Sequence, residues 1–191
     1  MQAKLSGQMK SIGYMMAREN ESGEFFGALL VLSTSARPIE FHCAMPVRPK
    51  PAQRVLYGKT LGPFLLGEQI PKALLQKPKS IPDSILVNDA NLLRAREELK
   101  IPMGLVTETA SESGSSKVHL SLGQADELVA VDQCVSIPSG WELSIRRSFG
   151  DDLSVMKDAV EVISRCVEID EPFERLAIAM EETCKSVNNA A

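Results

Sequence analysis

Two histidines, four cysteines and an aromatic content of 5% are all that this 191-residue chain offers among the residue types that most often carry chemistry. The scarcity excludes several classes at once. Cys43, Cys134, Cys166 and Cys184 are scattered, with neither a CxxC pair nor the density of a disulfide scaffold, so they read as free thiols. His42 and His119 are too few to suggest a Cys/His zinc site, and no spacing calls for a cofactor or a metal. There is no phosphate loop of the GxxxxGK[ST] type, because Lys59-Thr60 follows Gly58 without the earlier glycine and the preceding strand that such a loop needs. No run approaches the roughly 18 apolar residues of a membrane helix, and the opening Met1-Gln-Ala-Lys-Leu-Ser-Gly7 lacks the apolar centre of a signal peptide. A cytoplasmic setting without membrane contact is the expectation.

What is present is ordinary globular composition, 44% apolar and 24% charged, which suits one compact α/β domain. Ser11 to Ala17 and Phe25 to Leu32 are apolar runs separated by Arg18-Glu-Asn-Glu-Ser-Gly-Glu24, a hairpin connection. Pro38 opens a third strand, in which a period of two sets Ile39, Phe41, Cys43 and Met45 on one face, expected in the core, and Glu40, His42 and Ala44 on the other. Apolar spacing from Ala52 to Gln76 is helical, but Gly58, Gly62, Pro63, Gly67 and Pro71 predict two or three short pieces. A buried strand at Ser84–Asn88, a helix over Ala90–Lys100 and a strand at Met103–Thr107 follow, an alternation that implies parallel pairing. The polar stretch 109–117 reads as a mobile loop, Val118–Leu122 and Trp141–Ser148 as strands, and 126–137 is ambiguous. Two amphipathic helices end the chain, one from Asp151 or Asp152, the other after Asp170. The fold class is therefore α/β, with α+β open, on a mixed sheet: an antiparallel meander, then parallel strands, then two helices.

Charge is distributed unevenly. Between Arg37 and Lys79 eight basic residues face two acidic ones, while residues 124–185 carry fourteen acidic side chains against six basic. The island can pair internally with that acidic part or meet a partner. A protein partner or a second copy of the chain suits it better than nucleic acid, because aromatics for base stacking are sparse. The expected function is a noncatalytic binding or assembly module on the basic 48–59 surface, with Arg48, Lys50, Arg54 and Tyr57 as contact residues.

Candidates for chemistry are carboxylates. Glu40 and His42 lie two apart on one strand, where a carboxylate can orient an imidazole for acid–base work, though a purely structural pairing is the simpler reading. Asp89 follows a buried strand, the place where ligands collect in α/β sheets, and is equally a helix cap with Asn88 and Asn91. With Glu68 and Asp151 or Asp152 it could complete an oxygen cluster for Mg²⁺.

The order strand, strand, strand, helix, strand, helix, strand over residues 11–107 resembles the ribonuclease H-like fold, whose nucleases use such a cluster. The resemblance implies, as the alternative function, a divergent metal-dependent nuclease with Glu68, Asp89 and Asp152 as ligands. It also implies an aspartate on the first strand, which Ser11-Ile-Gly-Tyr-Met-Met-Ala-Arg18 lacks, Glu19 at its end being a poor substitute. A degenerate enzyme is the corresponding expectation. Ala36-Arg-Pro-Ile-Glu-Phe41, Pro46-Val-Arg-Pro49, Gln53-Arg-Val-Leu-Tyr-Gly58, Thr60-Leu61 and Gly67-Glu-Gln-Ile70 are similar to a pattern in a group of uncharacterised bacterial proteins, which implies no activity.

Overall fold

From Ser11 to Ser33 the chain has no proline and one polar turn, and it folds back on itself there. Strand β1 (Ser11–Glu19) pairs antiparallel with β2 (Phe25–Ser33), Tyr14 opposite Leu30. Asn20 closes the turn, its side-chain oxygen accepting from the Glu24 N–H at 2.9 Å, and Gly23 takes the left-handed φ of 75° that the turn requires. β3 (Pro38–Cys43) adds antiparallel to β2. On the other side of β1 lie β4 (Ser84–Val87) and β5 (Met103–Glu108), both parallel to it, followed by the antiparallel ribbon of β7 (Trp141–Arg146) and β6 (Val131–Ile137). The computed structural model describes residues 9–109 and 131–189. Within them the order is β3-β2-β1-β4-β5-β7-β6, one mixed sheet of seven strands.

Residues 131–137 of the ambiguous stretch are strand. The strand expected at Val118–Leu122, His119 and the loop expected at 109–117, apart from Thr109, lie outside the described residues.

Helical layers cover both faces. Alternation sends Ile12, Tyr14 and Met16 of β1 to one side with Phe26, Leu30 and Leu86, where helices α5 (Asp152–Ser164) and α6 (Glu171–Asn189) lay Met156, Val160, Ile163, Phe173, Leu176 and Met180 on them. The opposite face, with Met15, Leu29, Val31, Ile85 and Val87, is covered by Leu61, Leu65, Ile70 and Leu74 of the segment after β3 and by Leu92 and Leu93.

That segment is broken where glycine and proline predict. It runs through α1 (Pro51–Tyr57), a 3-10 turn (Gly58–Thr60), α2 (Leu61–Phe64), a π turn (Leu65–Gln69) and α3 (Ile70–Leu75). Pro51 and Pro71 sit in first turns, where a missing N–H leaves no bond unmade. Gly67 is required for contact rather than for φ: a Cβ there would stand 2.6 Å from the Asn91 carbonyl oxygen and 2.8 Å from Arg94 Cδ.

Two local expectations are corrected. The helix over Ala90–Lys100 is a 3-10 run (Ala90–Ala95) and a short α4 (Arg96–Leu99), begun by Asp89, whose Oδ1 accepts from the Asn91 N–H at 2.7 Å. On β3 the apolar face is the open one: Ile39 is 49%, Phe41 38% and Met45, just beyond the strand, 64% exposed, and only Cys43 packs on the helical layer. The reason is lateral reach. α6 lies over β1 and β2, while the face bearing Glu40, His42 and Ala44 is the one that the 51–80 segment covers.

Candidate functional site

The carboxylates singled out by sequence lie on the elements that follow the parallel strands. β4 ends at Val87 beside Met15, so Asn88 and Asp89 emerge at the same end of the sheet as the last residues of β1. Asp89 caps the 3-10 run there, accepting from the N–H and the side-chain nitrogen of Asn91. Through the close approach of Gly67 to Asn91, the π turn brings Glu68 against the same run. Glu68 lines a cleft of about 10 Å³, room for about a single water, with Lys72, Arg94 and Glu98.

Asp152 is engaged elsewhere. It is buried at the start of α5, where Arg96 donates to it from Nε at 2.6 Å and from a terminal nitrogen at 3.0 Å, and the Met103 N–H from 3.4 Å. The Arg96 guanidinium also stacks over Phe149, 4.4 Å from the ring centroid. No sequence signal could couple residues 96 and 152, which are remote in the chain and meet only because β5 lies beside β4. Asp151 holds the helix N-cap position without a side-chain capping bond.

Glu40 and His42 do meet, His42 Nε2 lying 2.8 Å from a Glu40 oxygen. The same carboxylate accepts from the Lys79 N–H at 3.0 Å and the Ser80 N–H at 3.3 Å. The His42 bond first, then these amides, holds the Glu40 carboxyl below its usual range. The pair is a latch between an edge strand and the loop after α3.

On the basic surface Arg48 pairs with Glu24, its Nε at 2.9 Å, and Arg54 pairs with Glu19 at 3.5 Å and donates to the Gly23 carbonyl. Bonds from Asn20 and then Arg48 hold the Glu24 carboxyl low. Lys72 pairs with Glu98 at 3.5 Å. The island is thus neutralised in part by Glu19, Glu24 and Glu98, none of them in the acidic 124–185 part that was the expected match. Lys50 is exposed, and Tyr57 stacks on Phe64 at 5.1 Å.

No family model and no curated protein matches the sequence. Solved structures do. The catalytic domain of human Endonuclease V superposes with a TM-score of 0.60 at 12% identity, over 97% of this chain and 86% of that one. Human Endonuclease V gives 0.54 at 16% over 97% and 87%, and Ciona intestinalis Endonuclease V, bound to a 24mer DNA containing an inosine followed by a ribo-adenosine, 0.55 at 12% over 95% and 89%. The fold is ribonuclease H-like.

That likeness corrects the expectation of a noncatalytic binding or assembly module on residues 48–59. The solved chains named above are Endonuclease V, one of them holding DNA, matched over 95% or more of this chain, and two of the cations nominated for docking, Arg48 and Arg54, pair with Glu24 and Glu19.

The residues present do not fit the metal cluster that the resemblance implied. β1 carries no carboxylate before Glu19, and its central Tyr14 is fully buried, ring against Phe173 at 4.9 Å and hydroxyl without a hydrogen-bond partner. Asp89 is engaged as a cap and Asp152 by Arg96. Among the described residues no group of three or more His, Cys, Asp or Glu could hold a metal ion. No hydrolytic step through a metal is derived from this chain. Nor does any described helix have the length and apolarity to cross a membrane.

Proposed function

We propose that this chain is a divergent, degenerate relative of nucleases with the ribonuclease H-like fold, lacking their metal cluster, whose ligand is nucleic acid. The observation that carries the reading is the extent of the likeness: a single sheet order superposes over nearly the whole chain on Endonuclease V, in one case bound to DNA. The exposed Lys50, Lys77 and Lys79 supply phosphate contacts that fit it.

Labelled single- and double-stranded DNA and RNA, with and without an inosine, test it by fluorescence anisotropy. The expected result is binding that weakens about tenfold or more between 50 and 200 mM salt, the signature of two or more phosphate contacts. Absence of binding to all of these probes at 50 mM salt overturns the proposal. Gel analysis of the same mixtures with Mg²⁺ or Mn²⁺ reads the second half of the claim: cleavage is expected to be slow or undetectable, and fast turnover would refute the loss of the cluster.

A further inference from the structure

Cys43 ends β3, and Cys184 lies on α6 in the stripe of Phe173, Leu176, Ala177 and Met180, four residues beyond Met180. Both pack on the margin of the same apolar cluster, both are partly buried and free, and the two thiols interact directly, the Cys43 thiol also donating to the Ala44 carbonyl at 3.6 Å. We propose that these two thiols are an oxidation site at which an intramolecular disulfide joins the edge strand to the last helix.

The chemistry needs a two-electron oxidant, a peroxide. The Cys184 sulfur attacks the peroxide oxygen, the O–O bond breaks, and Cys184 becomes a sulfenic acid as water leaves. The Cys43 sulfur then attacks that sulfur, the S–O bond breaks, a second water leaves, and the disulfide remains. Burial raises both thiols, Cys43 to about 11, where Lys77 is the weakest influence and favours the thiolate; at Cys184 the guanidinium of Arg18 favours the thiolate more strongly than either Glu24 or Glu181 opposes it, so Cys184 is the first to react. At neutral pH the pair is therefore a dithiol that oxidises slowly, and faster as pH rises. The other two thiols are exposed and lie elsewhere, Cys134 Sγ 3.2 Å from Ser144 Oγ and Cys166 Sγ 3.7 Å from the Thr34 carbonyl oxygen, so each meets peroxide on its own.

The closed loop would hold about 140 residues, so the bond removes much of the freedom of the unfolded chain. The test treats the full chain, native, with hydrogen peroxide, and maps peptides without reduction. A peptide joining Cys43 to Cys184, together with a thermal midpoint about 5–10 °C higher that dithiothreitol reverses, is the expected result. Cys184→Ser and Cys43→Ser should each abolish both changes, whereas Cys134→Ser/Cys166→Ser should keep them. Oxidation that gives sulfinic or sulfonic acids at Cys43 and Cys184 with no joined peptide, or only intermolecular dimers, overturns the proposal. Because the wild-type peptide map stands alone, a serine variant that folds poorly does not rescue it.

Discussion

Asp152 is the residue on which most of the site geometry turns. It is a first-turn carboxylate on α5, and sequence offers it as either a cap or a metal ligand. Burial decides between them, because a carboxylate with 7% of its side chain exposed needs a counter-charge, and Arg96 supplies it bidentately. Removing one partner leaves the other charge buried and alone. Asp152→Ala is therefore expected to cost about 3–5 kcal/mol in urea unfolding. Were Asp152 a solvated metal ligand, relief of charge repulsion would make the same change neutral or stabilising. Asp89 shows the opposite balance: its capping role was legible, since Asn, Asp and Ser before a helical run are capping residues whatever lies around them.

Elements were legible in proportion to how far local rules decide them. β1, β2, β4 and β5, α5 and α6, and the interruptions of the 51–75 segment follow from apolar period and from glycine and proline. The inverted burial of β3 was not, because its pattern of two names two faces and says nothing of how far a distant helix extends over either. Here the polar face carries the latch, and its acid response has a definite sign. The Glu40 carboxyl is held below its ordinary 4.5, so the stability it contributes is present above about pH 4.5 and is lost as pH falls through its lower folded value. Urea midpoints should fall between pH 7 and pH 3, and Glu40→Gln should lower the midpoint at pH 7 while narrowing that difference. The π turn allows a sharper comparison within one segment. Gly67→Ala drives a Cβ into the Asn91 carbonyl and should cost about 1–3 kcal/mol, whereas Gly62→Ala meets nothing within 4 Å outside its own helix and chain neighbours, only the Pro63 ring next to it opposing the change, and should cost clearly less. Paired denaturation curves measure both. A gain at Gly67 in place of the loss would mean that helix propensity, and not the contact with the 3-10 run, governs the segment.

For the molecule as a whole, the resemblance drawn from element order proved right in fold, while the metal cluster drawn from single carboxylates did not assemble. Order follows from connectivity and crossover rules; convergence of side chains depends on contacts across many residues, such as Arg96 with Asp152, that no single sequence displays. The layering carries a prediction of its own. Ending the chain at Asp170 removes Phe173, Leu176 and Met180 from the cluster over β1 and β2, and the shortened protein is expected to bind the dye ANS strongly and lose cooperative unfolding; a two-state transition with an unchanged midpoint would contradict this. The same layering sets a timetable. The β1–β2–β3 meander leaves the ribosome well before its cover α6, so at about 5–20 residues per second the side of the sheet bearing Ile12, Tyr14 and Phe26 lacks that cover for roughly 7–30 s of synthesis. For that interval the nascent chain depends on whatever shields this face until α6 has been made.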